Sequence, residues 1–217
     1  MKKVFIVRHG KTIWNLQKKL QGAKGDSPLL KSNQSEYIAL AKFLDKFNFE
    51  KIYTSPLNRS IETARATIEK SKVHYQKKII VNQAFREVSF GSWEGQTKES
   101  IIQKYPELFA KFSLREDDPQ LSALGIEEFV HARKRFKNEI LKIIHQIEDN
   151  KNILIFSHGA ISQLGIKALT NNENISGLKN MSTSIIGSND DENFRIESYN
   201  GFAYLNYFDN SGNTTIM

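Results

Sequence analysis

The chain has no cysteine, so disulfides, thiolate nucleophiles and sulfur-ligated zinc are excluded together. Proline is scarce: the four in 217 residues do not cluster, and no proline-rich linker exists. No apolar stretch approaches the roughly 20 residues of a membrane-spanning helix. Lys2-Lys3 before four apolar residues imitates the start of a signal peptide, but the run is too short and Arg8-His9 interrupts it. The expectation is a cytoplasmic protein with no membrane partner. Low-complexity segments, tandem repeats and domain linkers are also missing, which leaves one domain over residues 1–217.

What is present fits a soluble globular chain, with 39% hydrophobic and 25% charged residues. The net charge of +7 favours anions, phosphorylated metabolites among them. It comes without a recognition motif, so no nucleic-acid partner is expected. The densest basic run, Arg133-Lys134-Arg135-Phe136-Lys137, falls inside a helical pattern and reads as a solvated helix face.

One short phrase occurs twice. Val4-Phe5-Ile6-Val7-Arg8-His9-Gly10 has its counterpart in Ile153-Leu154-Ile155-Phe156-Ser157-His158-Gly159. A fully apolar run of strand length describes a strand buried on both faces, as in a parallel sheet. The carboxyl edge of such a sheet is where open α/β folds bind ligands. Two histidines delivered there, each before a glycine that permits a tight turn, point to one shared site.

The remaining periodicity predicts strands at 3–8, 51–54, 78–81 and 152–157, and helices at 35–47, 57–70 and 161–169. A long helix carries the apolar stripe from Ile126 to Ile147. Between them, residues 82–124 read as an insertion over the sheet edge, with a short helix near 97–104. The tail reads as strands at 182–186, 194–199 and 202–208, with Asn200-Gly201 as a hairpin signal. Its strand edge leaves either a monomer or a homodimer open. The expected fold is a three-layer α/β/α sandwich around a mostly parallel sheet, with antiparallel C-terminal strands.

Arg8-His9 sets a cation beside a nucleophile or base at a strand end. A histidine that attacks phosphorus must present a neutral ring nitrogen, and an adjacent arginine can grip phosphoryl oxygens. Ser55-Pro56-Leu57-Asn58-Arg59-Ser60-Ile61-Glu62-Thr63-Ala64 places Arg59 in the first turn of a helix, where free N–H groups already favour anions.

These segments, with Glu87, Phe90-Gly91-Ser92-Trp93-Glu94-Gly95 and Ser157-His158-Gly159, resemble the histidine phosphatase superfamily in its phosphoglycerate-mutase-like branch. The match runs in order through nearly the whole chain. It implies that His9 is the nucleophile, that Arg8, Arg59 and His158 form the phosphate pocket, and that Glu87 donates a proton to the leaving group. Glu94 competes with Glu87 for that last role. Asn15, Gln21, Gly22 and Gly159 are implied as further substrate contacts.

The implied activity is hydrolysis of small phosphomonoesters through phosphohistidine, with no cofactor. The histidines lack carboxylates at ligand spacing and are flanked by arginines, so no metal is expected. A cofactor-dependent phosphoglycerate mutase and a non-catalytic binder of phosphorylated ligands are the alternatives. Mutases resembling this chain usually carry a longer insertion and a proline-rich stretch.

Overall fold

A computed structural model describes residues 1–74 and 76–205. Strand β1 (Lys2–Arg8) leads through the single-turn helix α1 (Ile13–Leu16) to α2 (Gln34–Leu44), β2 (Phe49–Thr54), α3 (Asn58–Lys70) and β3 (Ile79–Val81). Then come α4 (Lys98–Lys104), α5 (Pro106–Leu114), α6 (Pro119–Ala123) and α7 (Phe129–Ile144). The chain continues as β4 (Asn152–Ser157), α8 (Gly159–Thr170), β5 (Thr183–Ser188) and β6 (Phe194–Gly201).

The strands form one sheet in the order β3-β2-β4-β1-β5-β6. The pairs β3–β2, β2–β4 and β4–β1 are parallel, whereas β5 runs antiparallel to β1 and β6 antiparallel to β5. The α/β architecture is the one expected.

Both repeated runs are apolar throughout because both of their faces are covered. Val4, Ile6, Ile153 and Ile155 pack with Phe136 and Ile140 of α7 and with Ile161 and Leu164 of α8. The intervening Phe5, Val7, Leu154 and Phe156 pack with Leu40 and Leu44 of α2 and with Ala64 and Ile68 of α3. Burying each such side chain contributes about 1.5–3 kcal/mol, and a one-residue slip would exchange the two sets. The helix after β1 thus covers one face and the helix after β4 the other. Between these neighbouring strands lies the switch point, where an open α/β sheet leaves a crevice at its carboxyl edge.

The stretch between β3 and α7 holds three helices where one was expected. Pro106 and Pro119 open α5 and α6, in the turn where a missing N–H is no loss. Both helices are too short to show a clear apolar period. Phe85, Phe90, Trp93 and Phe112 of this stretch join the core beneath α7 and α8.

The tail corrects one expectation. Asn200-Gly201 does not turn a hairpin; β6 runs through it. Asn200 takes φ 51° where the β5–β6 register shifts, so its tolerance of left-handed backbone serves a bulge. The hairpin lies one connection earlier. There Asp191 has φ 64° and Asp190 accepts from the N–H groups of Glu192 (3.0 Å) and Asn193 (2.8 Å). Ala203–Leu205 forms a 3-10 turn, and residues 206–208 of the expected strand lie outside the described residues.

Candidate active site

Because β1 and β4 pair in parallel with Arg8 opposite Ser157, both His-Gly pairs leave the sheet at the same edge. The His9 N–H donates to the Ser157 carbonyl at 3.0 Å, and the imidazoles of His9 and His158 stand 5.1 Å apart between centroids. Thr63 of α3 accepts from the Gly10 N–H at 3.0 Å, and Asn180 donates to the His9 carbonyl at 2.9 Å. The turn after β1 is therefore fixed from two sides.

The His9 ring is 3% exposed, with Nδ1 2.7 Å from the Gly10 carbonyl oxygen. A carbonyl can only accept, so Nδ1 carries the proton and Nε2 presents its lone pair. Burial, then Arg59 and Arg8, hold the His9 pKa well below the ordinary histidine value, and the ring is neutral at pH 7. His158 is fully buried, 2.6 Å from Ser55 Oγ through Nε2. Its pKa is likewise well below normal, through burial and then the charge of Arg59.

Arg8 and Arg59 are 7% and 1% exposed. Burial lowers both guanidinium pKa values to about 10, which leaves both charged at neutral pH. Arg8 donates to the Leu178 carbonyl, and its guanidinium lies over Gly159, where an added Cβ would stand 3.3 Å from Cζ. Arg59 donates to the carbonyls of Gly25 (2.6 Å) and Gly22 (2.7 Å), and Asp26 is 3.7 Å away. The Nε atom of each arginine is buried without a partner. Buried charge in this state favours an anionic ligand.

The two glutamates stand in different places. Glu87 lines the cavity and accepts from the N–H groups of Val88 (3.0 Å), Ala160 (3.1 Å) and Ile161 (2.8 Å), the last two in the first turn of α8. Glu94 accepts from four backbone N–H groups: Ala23 and Phe90 at 3.0 Å, Lys24 at 2.8 Å and Gly25 at 2.7 Å. It is not among the lining residues.

The cavity, about 200 Å³, opens between these groups. Arg8, His9, Arg59, Glu87 and Gly159 line it, as do Asn15, Gln21 and Gly22; His158, expected in the phosphate pocket, is fully buried and is not among the lining residues. Asn15 is the N3 residue of the capping box that Thr12 builds on α1, and its Oδ1 accepts from the Thr12 N–H at 3.0 Å. Gln21 donates through Nε2 to Thr12 Oγ1 at 2.9 Å, which leaves its buried Oε1 unpartnered. Among the described residues, no cluster of three His, Asp or Glu side chains could hold a metal.

Residues 4–201 match the model of the histidine phosphatase superfamily (branch 1). The chain belongs to that superfamily. The chain is 30% identical over 214 residues to the uncharacterized phosphatase PhoE of Bacillus subtilis (strain 168), which covers 96% of this chain and 99% of PhoE. It is 31% identical over 198 residues to a 2,3-bisphosphoglycerate-dependent phosphoglycerate mutase of Buchnera aphidicola, covering 78% of this chain and 84% of the mutase. Among solved structures, a phosphoserine phosphatase of Entamoeba histolytica in complex with 3-phosphoglyceric acid superposes with a TM-score of 0.78. It is 28% identical and covers 94% of this chain and 100% of its own.

In this histidine phosphatase the cavity also holds residues that sequence reasoning missed: Lys18, Lys19, Lys98, Arg115 and Gln163. Arg115 closes α5 in left-handed backbone (φ 63°) and is 8% exposed. Its guanidinium lies 5.4 Å from the Phe112 ring centroid and 5.7 Å from that of Phe129. Burial brings its pKa to about 10. Lys98 is lowered to about 8 by burial and then by Arg8, Arg115 and Lys18. Gln163 donates to the Ile175 carbonyl at 2.9 Å, and its buried Oε1 has no partner.

Proposed function

We propose that this chain hydrolyses small phosphomonoesters by way of a phosphohistidine at His9, without a metal or cofactor. The observation that carries the reading is the neutral Nε2 of His9, held between two buried arginines and sharing a cavity with Glu87. Nε2 attacks phosphorus, the P–O ester bond breaks, and the Glu87 carboxyl gives its proton to the departing alkoxide. The Glu87 carboxylate then takes a proton from water, whose oxygen displaces Nε2 and frees inorganic phosphate. Phosphate-monoester hydrolysis is among the slowest uncatalysed reactions, so charge stabilisation by Arg8 and Arg59 is the largest demand on the site. His158, neutral and buried, keeps its ring 5.1 Å from that of His9 and packs beside it.

Beyond the phosphate, Lys98 and Arg115 favour a second anionic group on the substrate, and the free carbonyl oxygens of Gln21 and Gln163 favour hydroxyl or N–H donors. A phosphorylated small acid that also carries a hydroxyl or amine satisfies all four. The structural relative from Entamoeba histolytica is named for phosphoserine, a molecule of that kind. Residues 82–124 form the roof that reads this part of the substrate, within a single domain acting on small metabolites of the cytoplasm. A mutase would need the cavity to return the phosphoryl group to a second hydroxyl, and the chain lacks a proline-rich stretch like those of mutases.

The deciding measurement is phosphate release from a panel of phosphomonoesters in chelator, with His9→Ala alongside. Release by the intact protein should fall by about 10⁴-fold or more in the variant, the scale of losing a nucleophile. Equal release by both proteins, or dependence on added metal, would contradict the reading.

A further inference from the structure

The peptide segment Gly22–Gly25 starts in the cavity wall, at Gly22, and it is gripped from both sides. Its N–H groups at Ala23, Lys24 and Gly25 converge on the Glu94 carboxylate at 3.0, 2.8 and 2.7 Å. Its carbonyls at Gly22 and Gly25 accept from the Arg59 guanidinium at 2.7 and 2.6 Å. Consecutive backbone N–H groups turned inward make a concave anion site, and here a side chain fills it. The fourth donor to Glu94 is the N–H of Phe90, itself a cavity residue on the loop that follows Glu87. One carboxylate thus joins the wall that holds the phosphate arginine to the loop that holds the acid.

We infer that Glu94 is a positioning residue for phosphate binding, acting through the Gly22–Gly25 backbone to fix the direction of Arg59. The inference rests on the reading of the cavity as a phosphate site. The Ala23 N–H and the Gly22 carbonyl belong to one peptide unit, so the carboxylate polarises that carbonyl toward the guanidinium. Its bonds to the Lys24 and Gly25 N–H groups hold the backbone that carries the Gly25 carbonyl in one orientation. Arg59 offers five N–H donors in a planar fork. With two committed to Gly22 and Gly25, the others are aimed by the plane those bonds define. Glutamine at position 94 would keep the volume, but it would turn an amide NH₂ toward backbone donors and remove the charge. The wall would then relax and Arg59 would lose its fixed plane. Glu94 is also among the charges that favour the protonated form of Arg59.

The test is calorimetric binding of inorganic phosphate, which needs no turnover. The proteins are the intact chain, Glu94→Gln, Glu94→Asp, Arg59→Gln and the double variant Glu94→Gln/Arg59→Gln. Glu94→Gln should weaken phosphate about tenfold or more, the scale of a lost charge-assisted contact. Glu94→Asp, which keeps the charge on a shorter arm, should recover part of that loss. In the Arg59→Gln background, Glu94→Gln should change nothing further, since residues acting in series do not add. Full phosphate affinity in Glu94→Gln, or losses that multiply in the double variant, would overturn the inference. Should Glu94→Gln fail to fold in a circular-dichroism melt, Glu94→Asp alone and with Arg59→Gln decides by the same criterion. No phosphate binding by the intact chain would overturn the phosphate-site reading itself, an outcome distinct from either.

Discussion

In the proposed role, His9 combines two requirements that oppose each other in water. It must stay unprotonated to attack, yet it sits among groups chosen for anions. Its burial and the neighbouring Arg59 and Arg8 settle the matter by disfavouring imidazolium. A pKa lowered in this way means that the neutral form persists as pH falls through 6.5. The acid limb of kcat/KM, corrected for substrate ionisation, should therefore lie well below 6.5; a limb at the ordinary histidine value would contradict the assignment. Lys98 titrates at the other end. Lowered to about 8, it loses its charge as pH rises through that value. The KM of a phosphomonoester bearing a carboxylate should rise several-fold between pH 7 and 9, while that of an uncharged alcohol's phosphate stays level. Lys98→Met should abolish the difference. Arg115, charged to about pH 10, keeps part of the affinity throughout.

At the scale of elements, α8 concentrates the site. Its N-cap is His158, its first residue lies under Arg8, and the N–H groups of Ala160 and Ile161 hold Glu87. The helix reaches that position by lying close against α7, where a Cβ on Gly165 would stand 2.1 Å from the Phe136 ring. Gly165→Ala should cost about 1–3 kcal/mol of stability, read as a lower urea midpoint, and should also lower kcat because the Glu87 anchors move with the helix. An unchanged midpoint would mean that the two helices part without strain. The contrast between legible and illegible parts belongs to this scale as well. β1 and β4 could be read because burial on both faces leaves an unbroken apolar run, and the motifs that follow them are local in sequence. Arg115 could not be read. In Ser113-Leu114-Arg115-Glu116-Asp117 it looks like one more solvated charge, and only the packing of α5 against Phe129 buries it. Lys98 is hidden in the same way among exposed lysines. Asn200-Gly201 is ambiguous in sequence because the backbone geometry that suits a turn suits a bulge equally.

For the whole molecule, the net charge of +7 sets a field that draws phosphorylated substrates toward the cavity. Association should slow as salt screens it: kcat/KM should fall between roughly 10 and 300 mM ionic strength, more steeply for a substrate with two anionic groups than for one. A flat dependence would confine the electrostatics to the pocket itself. Among the described residues, no helix is long and apolar enough to cross a membrane.

The adjacency of β1 and β4 also governs when activity can exist. Their histidines touch across one strand spacing but are separated by about 150 residues of chain. During synthesis His158 emerges only about 150 residues after His9. No fragment that ends before β4 can bring the two histidines together, and closing so long a loop is slow. On dilution from denaturant, phosphate binding should therefore return with the last kinetic phase, after the helices have formed.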